Sequence, residues 1–209
     1  MPATALLVDF GGVLTTSVFD AFGRFCVGHG LVETRFADLL REERSAADLL
    51  VAVEKGELPV AEFERRFAPL LGPDVPAEGL VRGLTAALEP DAAMVEAVAA
   101  LRASGVRTAL VSNSMGDDPY AGLELDRLFD HVVLSERVGM RKPSRAIYRH
   151  ALALVDVDPQ DAVLVDDLEQ NCAAARRLGM GAVHHTDARS TIDALQRAFG
   201  PFAAPTVRG

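Results

Sequence analysis

Five short apolar runs constrain this chain most: Ala5–Val8, Arg107–Val111, His131–Leu134, Ala162–Val165 and Ala182–His185. Four of the five are nearly continuous in apolar residues rather than alternating. Such runs mark strands buried on both faces, as in a parallel sheet. Helical patterns lie between them. Asp91–Ser104 starts on an acidic residue, repeats apolar positions at helical spacing and stops at Gly105. Ser144–Val155 begins on a serine cap behind Pro143, Glu169–Leu178 ends at Gly179, and Thr191–Phe199 is the last periodic segment. Strand and helix in alternation predict a doubly wound α/β fold with a parallel sheet of about five strands.

One stretch breaks the alternation. From residue 16 to residue 88 no strand pattern occurs. Instead there are helix-like segments at Val18–His29, Thr34–Ala52 and Val60–Leu70, punctuated by Pro59, Gly72–Pro73 and Pro76. The expected organisation is a core made of residues 1–15 and 89–200, a helical insertion over 16–88, and a flexible tail over 201–209. A chain of 209 residues is long enough for one domain carrying such an insertion.

Charge and cysteine usage narrow the function classes. The net charge of -9 repels phosphate backbones, and no basic stripe offsets it locally, so nucleic acid is excluded as a partner. A small phosphorylated substrate stays admissible, because a bound metal ion reverses the local field. Cys26 and Cys172 form no Cys-x-x-Cys pair and read as reduced thiols. The five histidines show no zinc-ligand spacing. The N-terminal run lacks a basic region and is too short for a signal peptide or a membrane span. A cytoplasmic protein without membrane contact is expected.

In an open parallel sheet, ligands bind beyond the carboxyl ends of the strands. Asp9 follows the first run; Ser112, Asn113 and Ser114 follow the second. A loop after the third leads to Lys142, and Asp166 and Asp167 follow the fourth. Parallel strands would gather these three carboxylates, hydroxyl, amide and ammonium on one rim. Crowded carboxylates call for a cation, and hard oxygen donors favour magnesium. Ser112 and Asn113 can donate to phosphoryl oxygens, Lys142 can neutralise developing charge, and one carboxylate is free to attack. Plainer roles exist for each residue. Asp9 also suits a turn, Ser112 a helix cap, and Asp166 or Asp167 the cap of the following helix. Lys142 is harder to explain that way, because it precedes a helix whose dipole disfavours a cation.

Together these residues resemble the four motifs of the haloacid dehalogenase superfamily. LLVDFGGVL resembles the nucleophile motif, ALVSNS the second, VGMRKPSRAIY the third and VLVDDLEQN the acidic fourth, in the family's order. RLFDHVVLSERVGMRKPSRAIYRHAL and DDLEQNCAAARRLGM resemble the subgroup containing the phosphatase domain of soluble epoxide hydrolase, and GELPVAEFERRF resembles a segment of its cap. The resemblance implies a Rossmann-like core, a helical cap over residues 16–88, and Mg2+-dependent hydrolysis of a small phosphorylated metabolite. It implies Asp9 as nucleophile and metal ligand, Gly11 as a carbonyl ligand and Asp167 as the second carboxylate ligand. Asp166 would stand behind the metal, and Asn171, four residues after Asp167, would orient that carboxylate. Ser112 and Asn113 would hold the phosphoryl oxygens, with Lys142 bridging Asp9 and the phosphate.

Gly11 departs from the pattern. Phosphatases of the family usually carry there a second Asp, which protonates the leaving group, and losing such help costs roughly 10²–10⁴-fold in rate. Three readings follow. A phosphatase would rely on a good leaving group, on water, or on a cap carboxylate such as Asp20, Glu42 or Glu43. A metal-independent dehalogenase would need no acid, but Gly11 and the Asp166–Asp167 pair speak against it. A degenerate member would bind a ligand or partner without turnover. Phe19, Phe22, Phe25 and Phe36 suit either packing or an apolar pocket, and Arg24, Arg41 and Arg44 either a solvated face or a substrate anion.

Overall fold

A computed structural model describes residues 2–116, 120 and 122–203. The chain opens with strand β1 (Ala5–Val8), then runs through α1 (Val18–Gly28), α2 (Arg35–Glu42), α3 (Arg44–Glu54), α4 (Val60–Leu71) and α5 (Leu80–Thr85). Helix α6 (Ala92–Ala103) leads to β2 (Arg107–Ser112), and a short α7 (Leu125–Leu128) to β3 (His131–Leu134). Then come α8 (Ser135–Val138), α9 (Arg145–Leu154), β4 (Ala162–Asp166), α10 (Glu169–Arg176), β5 (Gly181–His184) and α11 (Ala188–Phe199).

The five strands form one parallel sheet in the order β3-β2-β1-β4-β5. This is the doubly wound α/β fold that the apolar runs predict. Both faces of the central strands are covered, which is why β1, β2 and β4 are apolar along most of their length. Leu6, Val8, Leu110 and Val165 pack on one face against Met94, Val98 and Leu101 of α6 and Ile192 and Leu195 of α11. Ala5, Leu7, Val111 and Leu164 face the other way, onto Ile147, Tyr148 and Leu152 of α9 and Ala174 and Ala175 of α10. Each fully buried Leu, Ile or Val there contributes roughly 1.5–3 kcal/mol.

Helices α1–α5 enclose a separate apolar cluster that includes Phe22, Phe36, Leu39, Leu49, Phe63, Phe67 and Leu84. Its centre is aromatic: Phe36 lies 4.4 Å from Phe22 and 5.3 Å from Phe67, ring centre to ring centre. The chain enters and leaves this layer along one seam. Thr16 N donates to Glu89 O and Asp91 N to Leu14 O, each at 2.8 Å, around a bridge between Thr15 and Pro90.

Three details differ from the sequence pattern. The periodicity over Thr34–Ala52 predicts one helix, but Glu43 adopts φ -114 and ψ 102 and separates α2 from α3. Residues 41–45 (REERS) offer nothing to bury, so the chain turns in solvent. The corner lets Leu39 and Leu49 reach the same cluster. Helix α5 carries no strong sequence signal and follows Gly79 in the left-handed region at φ 76. Beyond α11, Phe202 packs against the α6–α11 side of the sheet. Residues 204–209, the rest of the expected tail, lie outside the described residues.

Candidate active site

β1 and β4 are neighbours, yet the chain leaves them in opposite directions, toward β2 and β5. The crevice beyond such a switch point is where this architecture binds ligands. Val8 pairs with Val165, so Asp9 and Asp166 emerge side by side. Asp9 N donates to Val165 O at 2.9 Å, prolonging the ladder, and Phe10 N donates to Asp9 Oδ1 at 2.7 Å. The turn behind Asp9 needs Gly12. That residue has φ 75, and a Cβ on it would lie 2.4 Å from Asp167 Oδ2.

Lys142 is buried to 1% exposure, and its Nζ lies 2.6 Å from Asp9 Oδ1 and 2.8 Å from Asp166 Oδ2. The ammonium therefore ties two carboxylates together, where the resemblance implies a bridge from Asp9 to substrate. One of its three hydrogens remains for a ligand. Asn113 holds this lysine in place: its Oδ1 accepts from Lys142 N at 2.8 Å, and its Nδ2 donates to Lys142 O at 3.2 Å. Ser112 Oγ shares a hydrogen bond of 2.8 Å with the Tyr120 hydroxyl. Tyr120 is absent from the sequence-based set. It follows no strand and belongs to no motif, and only its ring packing on Phe10, 4.5 Å away, brings it in.

The expected role of Asn171 is corrected. Its Nδ2 donates to Asp166 Oδ1 at 2.8 Å, not to Asp167. The four-residue spacing works only inside a helix, and α10 begins at Glu169, so Asp167 lies before it. Asp166 Oδ1 also accepts from Leu168 N at 3.0 Å. The buried Asn171 Oδ1 has no partner in the protein.

Oxygens of Asp9, Asp166 and Asp167 lie within 4.8 Å of one another. Burial raises the Asp9 carboxyl to about 7; Lys142 opposes the rise, while Asp166 and Asp167 add to it. Burial, aided by repulsion from Asp166, raises Asp167 to about 6. Lys142 moves the other way from what burial alone would do. Asp9 and Asp166 outweigh desolvation and hold it above its ordinary value.

These groups floor a cavity of about 290 Å³ whose walls include Val18, Phe19, Phe22, Phe36, Leu40, Leu50 and Val81 from the helical layer. Gly11 lies at its edge, and a Cβ there would sit 2.2 Å from Val18 Cγ2. Asp20, Glu42 and Glu43, named above as substitute acids, are exposed and line no part of the cavity. The corner at Glu43 turns Glu42 and Glu43 outward. The carboxylate of the helical layer that does line it, among the described residues, is Glu54, which is buried and ion-paired with Arg141. Arg24 is exposed, Arg41 pairs with Asp38 at 2.9 Å and Arg44 with Asp48 at 3.8 Å, all away from the site. Phe25 packs on His29 in a tilted ring contact outside the cavity.

The sequence model of the haloacid dehalogenase-like hydrolases matches residues 3–179, and the chain belongs to that family. It is a hydrolase with phosphatases among its relatives. It is 29% identical over 151 residues to the sesquiterpene phosphatase astK of Aspergillus oryzae, covering 70% of this chain and 77% of that protein. It is 32% identical over 114 residues to bifunctional epoxide hydrolase 2 of Rattus norvegicus, covering 51% of this chain and only 21% of that relative's length. In three dimensions it is similar to the magnesium complex of the HAD family enzyme bt-2542 from Bacteroides thetaiotaomicron. The TM-score is 0.67 at 21% identity, over 89% of this chain and 94% of that one, a likeness of fold. Among the described residues no helix is long and apolar enough to cross a membrane.

Proposed function

We propose that this hydrolase is a magnesium-dependent phosphatase that cleaves a small phosphomonoester through an aspartyl-phosphate on Asp9. The observation that carries this reading is a charge imbalance. Three carboxylates with oxygens within 4.8 Å face one buried ammonium. Burial is the main cause of the raised Asp9 and Asp167 carboxyls, and repulsion among the three carboxylates adds to it. A dication would relieve it, and all-oxygen donors suit magnesium. Asp9, Asp167 and the Gly11 carbonyl would hold it, with Asp166 behind. The orphaned Asn171 Oδ1 fits a hydrated ion, whose water would supply the missing donor. When bound, the ion supplies electrostatic stabilisation of phosphoryl oxygens.

The chain's own residues do the rest. Both protein donors to Asp9 fall on Oδ1, which fixes the carboxylate while Oδ2 keeps its lone pairs for an electrophile or a cation. Lys142 favours the ionised form of Asp9 against the effect of burial and offers its third hydrogen to a phosphoryl oxygen. Ser112 Oγ and Asn113 stand beside it as further donors, with Asn113 also bracing the lysine. The helices over residues 16–88 act as the cap that excludes water. Phosphatase relatives support this reading. The test is phosphate release from para-nitrophenyl phosphate with magnesium and with chelator. Wild type should turn over only with the ion, and Asp9→Asn should be inactive. Metal-independent halide release from an α-haloacid would overturn the proposal in favour of dehalogenation.

A further inference from the structure

Resting on the phosphatase reading, we infer that the site is built for phosphate esters with an apolar body whose leaving group departs as a stable anion, without a proton donor: aryl, enol and acyl phosphates. Two independent features support this.

The first is the space beside Gly11. A side chain at this position would project onto Val18, whose Cγ2 would lie 2.2 Å from the added Cβ. Val18, in the first turn of α1, occupies the place of an acid there. Among the described residues, every other carboxyl, ammonium or phenol lining the cavity is committed elsewhere. Asp9 is the nucleophile and Asp167 belongs to the acidic trio. Lys142 is shared between two carboxylates. Glu54 is held by the Arg141 guanidinium. The Tyr120 hydroxyl is bonded to Ser112. No histidine lines the cavity.

The second is the wall. Phe19, Phe22, Phe36, Leu40, Leu50 and Val81 make most of the wall apolar, and of its polar groups Glu54 and Arg141 are taken up by each other. Each hydroxyl stripped of water there costs about 1–3 kcal/mol. A polyhydroxylated body is disfavoured, and an apolar one gains from burial.

The chemistry then balances without an acid. A carboxylate oxygen of Asp9 bonds to phosphorus as the bond from phosphorus to the leaving oxygen breaks. The electron pair stays on that oxygen, and the phenolate, enolate or carboxylate takes its proton from water after departure. In the second step a water oxygen attacks phosphorus, the bond from phosphorus to Asp9 breaks, and the water's proton passes to solvent. This step also lacks a base at position 11, so the aspartyl-phosphate accumulates.

The experiment measures kcat/KM with magnesium for aryl phosphates from nitrophenyl to phenyl and for alkyl phosphates of similar size. The aryl esters should exceed the alkyl esters by about 10²-fold or more, the help that an acid would have given. An initial burst of nitrophenolate should precede the steady state. Gly11→Asp with Val18→Ala, which restores an acid and the room for it, should narrow the gap by raising the alkyl rates. A second pair, propylphenyl against dihydroxypropylphenyl phosphate, holds leaving-group acidity nearly constant. The apolar ester should be preferred about 30-fold or more, two hydroxyls at about 1 kcal/mol each being the lower bound. Alkyl and aryl esters cleaved at similar rates by wild type would overturn the inference and leave the phosphatase reading standing. A preference for the dihydroxy ester would overturn its apolar half. Absence of any nitrophenyl phosphate hydrolysis would remove both readings.

Discussion

Replacing Lys142 by methionine removes one charge and little volume from the most connected point of the site. The ammonium lies 2.6 Å from Asp9 and 2.8 Å from Asp166. At an effective dielectric of about 20, each contact has a gross attraction of about 6 kcal/mol. Most of this offsets the desolvation of a side chain that is 1% exposed. The net effect of deletion is set by what stays behind, two buried carboxylates without their cation, and this costs about 3–5 kcal/mol. The cost depends on pH in a defined direction. Burial, against the pull of Lys142, already raises Asp9 from 3.8 to about 7. A carboxyl raised in the folded state destabilises it increasingly as pH climbs from the unfolded to the folded value. Without Lys142 the folded value rises further. Near pH 5 Asp9 is protonated in both proteins, so it adds nothing to the difference; above pH 7 only the wild type has a cation to meet its charge. Urea unfolding in chelator, at about pH 5 and about pH 9, should show the larger loss at the higher pH. A loss independent of pH, or below about 1 kcal/mol as for a surface pair, would refute the reasoning.

Phe36→Ala removes the ring between Phe22 and Phe67 and should cost about 3–5 kcal/mol in thermal or urea unfolding. Gly56→Ala should cost about 1–3 kcal/mol, because Gly56 has φ 67 and its added Cβ would lie 2.3 Å from the Glu136 carbonyl oxygen; an unchanged urea midpoint would show that this contact gives way. Tyr120→Phe keeps the ring on Phe10 but removes the hydroxyl from Ser112, and should cost about 0.5–1.5 kcal/mol by the same measurement.

The sheet was legible because a strand buried on both faces must be largely apolar, and four near-continuous apolar runs out of five have few alternatives. Residues following those runs inherit a place on one rim, so Asp9, Ser112, Asp166 and Asp167 converge without further information. What stayed hidden depends on where helices begin and on distant partners. The partner of Asn171 follows from α10 starting at Glu169. Glu54 falls just after the helical pattern over Thr34–Ala52, where no periodicity marks it as buried. Its burial depends on Arg141, 87 residues further along. Tyr120 is placed by a ring contact that no local pattern encodes.

The charges of the floor and the neutrality of the wall constrain the substrate together. A phosphate ester carries its charge at one end, and in this cavity only the floor can receive it: Lys142, the Ser112–Asn113 donors and the ion that the acidic trio would hold. The charged pair that the described residues place on the wall, Glu54 with Arg141, is neutral as a unit and offers no net field to a second anionic group. Opposite ends of a bound ester therefore meet opposite environments, which fixes orientation with the phosphoryl group toward Asp9. A second phosphate or a carboxylate on the body would have to be desolvated against Phe22, Phe36 and Leu50. The same division explains how the site can lack an acid at Gly11. Where the wall admits an apolar body whose leaving anion is stable in itself, the donor that Val18 displaces has little left to do.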